Sequence, residues 1–252
     1  MPFTLAHPAV VLPLRWSHLP LAALVAGSLS PDVPIYVPGG LLGTRDEAHS
    51  WTHTWFGLVA FCVPVALLLT AVWGYYLRGP VLDALPDWCR ARMTVRPPVM
   101  DRGHWLWSLP AVLVGSLSHL AWDQLTHEPS WLSAHLPFLA MSLGGLPVAR
   151  WLMYLCSVLG LAAICWTAYH DLARRPPDLV ARRVPSVAAL LLPVPMAVGG
   201  LAALYELVTV GPYMGAHAIA YYMLTAAVAS AGALVVLLAG AWHGATLLHR
   251  RA

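Results

Sequence analysis

The chain has 252 residues, 59% of them hydrophobic and only 10% charged, where a soluble domain carries roughly a quarter charged residues. Long uncharged runs recur, so composition excludes a soluble enzyme and specifies a helical integral membrane protein; the alternating pattern of a membrane barrel is absent. A formal net charge of +3 gives no nucleic-acid signal, and the partner it leaves is the lipid bilayer.

In chain order, Thr4 reads as the N-cap of a short helix running to about Leu12, with His7 in its first turns and Pro8 tolerated there. No basic stretch precedes the first apolar run, so no cleavable signal peptide is expected. His18 to Ser30 is apolar but only about a dozen residues long, short for a span. Pro31 ends it and Asp32 follows at once. Val33 to Thr54 is loop-like, with Pro34, Pro38, Gly39 and Gly40, then Arg45, Asp46, Glu47, His49 and His53. Full spans are expected at Trp55 to Leu77, Trp105 to Thr126, Arg150 to Tyr169, Ser186 to Val208 and Ala218 to Trp242. The expected fold is all-α and polytopic, with about five full spans plus a short N-terminal helix and a half-helix. It forms one integral membrane domain over residues 1–252, with its motifs in 1–130 and a plainer helical half in 150–245.

Every basic residue is an arginine, and the arginines alternate by loop. The loops at 78–102 and 174–183 and the tail are basic, whereas the connections at 127–148 and 209–217 have none. Positive-inside logic places the basic loops and the C-terminus in the cytoplasm, as expected in a bacterial inner membrane. Asp32, His49, His53, His119, Asp123 and His127 then gather towards the outer face. His7 joins them only if His18 to Ser30 does not cross. The cysteines Cys62, Cys89, Cys156 and Cys165 form no Cys-x-x-Cys pair and carry no expected redox or metal role.

The stretch from Gly115 to Pro129 is the most informative. His119, Asp123 and His127 are spaced by four, so on a helix each lies about 40° round and about 6 Å along from the last. His119 and Asp123 can chelate one ion, and His127 suits a second ion or the rim. Ionisable groups in a membrane segment are costly and point to function. The plainer reading is a polar stripe bonding neighbouring helices. Imidazole with carboxylate suits Zn, with Mn or Fe as alternatives, and one or two ions. The candidate ligands are His7, Asp32, His53, His119 and Asp123, with His49 and His127 less certain. No Gly-x-Ser-x-Gly elbow, phosphate loop or dinucleotide fingerprint occurs. Gly39-Gly40 and Gly144-Gly145 read as turns. His18, His104, His135 and His249 read as interfacial or loop histidines.

Four motifs recur in order: Met1-Pro2-Phe3-Thr4 with His7-Pro8, then Gly27 to Asp32, then His53-Thr54-Trp55-Phe56-Gly57, then Gly115 to His127. Together they resemble an uncharacterised family of bacterial integral membrane proteins opening Met-Pro-Phe-Thr-x-x-His-Pro, a domain of unknown function. That family is similar in turn to inner-membrane proteins inferred to be metal-dependent hydrolases. The resemblance implies metal at His7, Asp32, His53, His119 and Asp123. It also implies a further motif with a histidine after the 127–148 connection, where this chain has Met153-Tyr154-Leu155-Cys156-Ser157.

Two readings follow. One is a membrane-embedded metal-dependent hydrolase acting on a phosphoester or lipid-derived substrate near the outer face, with His127 as acid, base or further ligand. The other is a non-catalytic transporter or structural partner that uses the same cluster as a metal or proton site. The second half does not echo the first half's motifs, which favours a one-sided site over an alternating one.

Overall fold

A computed structural model describes residues 3–37, 44–93, 100–178 and 181–249. The Gly39-Gly40 turn and the Arg250-Arg251 anchor expected from sequence lie outside them. The protein is an all-α polytopic membrane protein.

A 3-10 helix over Thr4–Trp16 opens the chain. Then come α1 (Leu21–Leu29), a 3-10 turn (Ser30–Asp32), α2 (Val33–Tyr36) and α3 (Arg45–Thr52). Next are α4 (Trp55–Ala84), α5 (Asp87–Arg90), α6 (Arg102–Thr126) and α7 (Trp131–His135). A minimal hairpin pairs β1 (Ser142–Leu143) with β2 (Leu146–Pro147). Gly144 and Gly145 turn it at φ 60° and 84°, a region that favours glycine. The chain closes with α8 (Val148–Ala173), α9 (Pro185–Ala188), α10 (Pro193–Thr209) and α11 (Ala216–His249).

Among the described residues, four helical stretches are long and apolar enough to cross a membrane: Trp55–Ala84, Val148–Ala173, Pro185–Thr209 and Ala216–Leu248. The fifth expected span is α6. Its 25 residues reach about 37 Å at 1.5 Å per residue, but Ser108, Ser116, His119, Asp123 and Thr126 dilute its apolar character. All five are buried.

Three expectations need correction. The N-terminal helix is capped by Phe3, not Thr4, and runs to Trp16 as a 3-10 helix. Pro8 and Pro13 lie inside it, and each removes an N–H that a regular α-helix would use. In a 3-10 helix residues three apart eclipse one another, so Thr4 and His7 share a face, and both are buried. The segment 33–54 is not a loop throughout, because it holds α2 and α3. Thr44 and Glu47 form a complete capping box at the start of α3. The 78–102 loop begins late, since helix continues through Arg78 to Ala84.

Contacts divide the chain into two units. One is Met1–Pro34, Leu42–Ala71 and Val99–Asp171; the other is Ile35–Leu41, Val72–Pro98 and Leu172–Ala252. In the second unit the buried Asp83 carboxylate accepts from the backbone N–H groups of Arg183 and Val184 and from Trp242 Nε1. His243 Nε2 donates to Tyr76 O (2.9 Å).

The first unit carries every candidate ligand. Its core packs Val11, Ala23, Leu24, Ala26, Ala66, Ala111 and Val112. Small residues bring the backbones of α1 and α6 together, as in membrane helix pairs. A Cβ on Gly27 would strike the carbonyl oxygen of Val112, and one on Gly115 that of Leu24. Hydrogen bonds stitch the same seam. Ser116 Oγ donates to Gly27 O (3.1 Å), and so does Ser30 Oγ (2.9 Å). Pro31 contributes by omission, since it has no N–H to offer the carbonyls of Gly27 and Ser28 one turn back.

Candidate metal centre

Each motif places a side chain through a local device. On α6 the stripe at Gly115, His119 and Asp123 faces α1, and Gly115 is the point of closest approach. There His119 Nδ1 donates to Ser28 O at 2.7 Å. The 3-10 turn after α1 carries Asp32, fully buried, whose Oδ2 accepts from Thr4 Oγ1 at 2.7 Å. Thr52 Oγ1 donates to Pro31 O (2.8 Å) and so ties the end of α3 to that turn. His53 follows as the C-cap of α3, and Thr54 caps α4 by accepting from Gly57 N. A Cβ on Gly57 would meet Trp51 O, so glycine alone permits this junction.

The N-terminal helix is held against α8. Phe3 N donates to Ser157 Oγ (2.9 Å), Gly160 packs on Ala6, and Arg15 Nε donates to Asp171 Oδ2 (3.1 Å). The stretch where the resemblance implied a further histidine thus supplies Ser157, which positions His7 at a distance. The apolar helical stretch Leu21–Tyr36 is shorter than the helices long enough to cross a membrane. The structure brings His7 to the other motifs.

Five histidines and two aspartates converge. Around Asp123, Oδ1 lies 3.2 Å from His7 Nε2 and 3.4 Å from His127 Nδ1, and Oδ2 lies 3.2 Å from His53 Nε2 and 3.3 Å from His119 Nε2. Asp32 Oδ1 lies 3.5 Å from His119 Nε2 and 3.8 Å from His49 Nδ1. The His7 and His119 rings stack with centroids 3.8 Å apart. His7, His119, Asp32 and Asp123 are buried. His49, His53 and His127 remain 28%, 17% and 26% exposed and form the open edge.

The ring tautomers decide what this arrangement means. His7 Nδ1 donates to Thr4 O (3.3 Å), His53 Nδ1 to His49 O (2.8 Å), and His119 Nδ1 to Ser28 O (2.7 Å). A carbonyl only accepts, so each Nδ1 carries a proton, and each ring turns its Nε2 inward, where the neutral tautomer would offer a lone pair. Those three nitrogens face the Asp123 carboxylate, itself an acceptor. A divalent cation gives the nitrogens and the carboxylates a common partner.

The spacing also fits a cation. Two atoms bonded to one zinc at about 2.0–2.1 Å in a tetrahedron stand about 3.3 Å apart. Histidine ligands whose far nitrogen is anchored to a carbonyl are the usual outer support of such a site. Buried atoms without a hydrogen-bond partner among the described residues include Asp32 Oδ1, His49 Nδ1, His119 Nε2 and His127 Nε2. Burial pushes the His49 imidazole down to about 4, with nearby His53 acting in the same direction. Burial likewise pushes His127 down to about 4. Both rings are therefore neutral near pH 7 and can offer lone pairs.

His49 is the residue that sequence reading placed too low. Its signal was available in Thr44-Arg45-Asp46-Glu47, a capping-box pattern that starts a helix and sets His49 and His53 one turn apart.

A family model described as "Domain of unknown function (DUF4184)" matches residues 1–242. The chain belongs to the DUF4184 family. No significant match was found among curated proteins or solved structures. The DUF4184 match spans both units, so it covers the helical second half as well as the motifs that build the centre.

Proposed function

We propose that this DUF4184 protein is a membrane-embedded metal-dependent hydrolase acting on a phosphoester or lipid-derived substrate. The observation that carries the reading is the convergence of the Nε2 atoms of His7, His53 and His119 on the Asp123 carboxylate, with Nδ1 of each ring held by a backbone carbonyl. Zinc suits this donor set best, with manganese or iron as alternatives. Such a cation supplies Lewis acidity and an activated water nucleophile. The chain's own residues do the rest. Asp32 and Asp123 balance the charge, and the buried seam of α1 and α6 keeps bulk water from the inner side. The partly exposed His127, whose Nε2 has no partner among the described residues, acts as the base.

The arginine pattern supports a site towards the outer face of a bacterial inner membrane, with the C-terminus cytoplasmic. In a cysteine-free background, an impermeant thiol reagent on intact cells should label Ser142→Cys and spare Asp101→Cys. The reverse pattern would invert the orientation.

The purified wild type should hydrolyse a chromogenic phosphomonoester or phosphodiester in a chelator-sensitive way. His127→Ala should keep its metal and lose roughly 10²–10⁴-fold in kcat, the usual contribution of a general acid or base. Bound metal with no turnover across phosphoester, carboxylester and amide panels would favour the second reading, a non-catalytic metal or proton site. One feature supports that alternative: His119 Nε2 lies between two carboxylates, a place that would also hold a proton.

A further inference from the structure

We infer that the centre binds two divalent cations, and that Asp32, His49 and His53 form the second site. This rests on the metal reading above and deepens it. Six donors sort into two triads with no shared member: His7, His119 and Asp123, and Asp32, His49 and His53. Within each triad all ligand atoms lie within 4.8 Å of one another. A catalytic zinc takes three protein ligands and keeps one position open, so each triad is a full set for one ion. One four-coordinate ion cannot engage both.

The triads are joined by carboxylates. Asp123 turns Oδ1 to His7 of its own triad and Oδ2 to His53 of the other, both at 3.2 Å. A carboxylate that spans two donor sets in this way bridges two ions. Asp32 repeats the link from the other side, with Oδ1 3.5 Å from His119 Nε2. The second triad also carries an independent mark of a missing ligand. Asp32 is fully buried, yet its Oδ1 has no hydrogen-bond partner among the described residues, and neither has His49 Nδ1, 3.8 Å away. A cation between them satisfies both.

Charge then narrows the substrate. Imidazoles that ligate a metal are neutral, and the two aspartates contribute two negative charges. Two divalent cations leave a net charge of about +2 in low-dielectric surroundings, where such an excess demands an anion. A phosphate ester supplies it, whereas a neutral amide or carboxylic ester does not. Paired cations also clamp both oxygens of an in-line phosphoryl displacement.

The test counts ions on the full chain purified in detergent and saturated with Zn²⁺ or Mn²⁺. Elemental mass spectrometry should find about two ions per chain in the wild type and about one in either His49→Ala or His7→Ala. With Mn²⁺, the electron paramagnetic resonance spectrum of the wild type should be that of an exchange-coupled pair, and His49→Ala should convert it to an isolated ion. Inorganic phosphate should bind the two-ion wild type at least tenfold more tightly than His49→Ala. Size-exclusion elution and circular dichroism matched to His170→Ala establish that the variants are folded. A single ion at saturation with an isolated-ion spectrum overturns the inference and leaves the metal reading standing. Two ions retained in His49→Ala overturn the assignment of His49. No bound ion in the wild type overturns both readings together.

Discussion

Replacing Asp123 with Asn is expected to strip the centre of metal and to end chelator-sensitive turnover. Among the described residues its carboxylate gathers the ligands: four imidazole nitrogens lie within 3.4 Å of its two oxygens. Asn keeps the shape and loses the charge and one acceptor. Removing an outer-shell partner of a metal ligand costs roughly 10–100-fold in affinity, and removing a ligand shared by the whole cluster should exceed that. The measurement is metal per chain after dialysis against a weak chelator, with turnover on a phosphodiester alongside. The protein should remain inserted, because its spans owe their stability to apolar length and packing. Wild-type metal content in Asp123→Asn would mean that the carboxylate serves only as a hydrogen-bond acceptor for the rings.

The second large effect is predicted at a residue that binds nothing. Gly115→Val places a side chain against the carbonyl of Leu24, a backbone atom that cannot swing aside. Overpacking a well-packed interior costs about 1–3 kcal/mol, and a backbone obstacle puts this variant at the top of that range or beyond. The route of relief is separation of α1 from α6. That movement withdraws Ser28 O from His119 and carries Asp32 out of the cluster. Thermal stability in detergent should fall and bound metal should be lost, although no ligand is altered. Gly200→Ala and Gly232→Ala, whose added Cβ atoms meet open space, should change neither. A Gly115→Val protein with wild-type melting and full metal would show that the seam is not what sets the geometry of the centre.

Much of this architecture is legible in the residues. Apolar runs reveal the long helices because bilayer thickness fixes their length. The four-residue spacing of His119 and Asp123 reveals the stripe because helical periodicity fixes its direction. The short run before Pro31 hints that His7 need not cross the membrane. Other features need three dimensions. The long 3-10 helix comes from prolines combined with contacts to Ser157 and Gly160, which no local pattern announces. The backbone anchors of the three rings depend on carbonyls that sequence cannot rank. For His119 the anchor is Ser28, in a turn where Pro31 withholds an N–H. The entry of His49 was legible through Thr44 and Glu47, but the surrounding prolines and glycines made the segment read as loop. Ligand roles and chemistry rest on geometry that only the assembled helices create.

The stripe on α6 also bears on how the chain enters its membrane. A helix segment is admitted to the bilayer according to its own apolar content. Ser108, Ser116, His119 and Asp123 lower that content in α6, and the stretch Leu21–Tyr36 is short for a span. Several of the polar atoms on this seam find partners across it, through Ser116, Ser30, His119 and the carbonyls of Gly27 and Ser28. The two helices are therefore expected to wait at the insertion machinery and enter as a pair, α1 held back until α6 has been synthesised. Biogenesis of this unit would then be a late, concerted step that reads the same residues as the chemistry does.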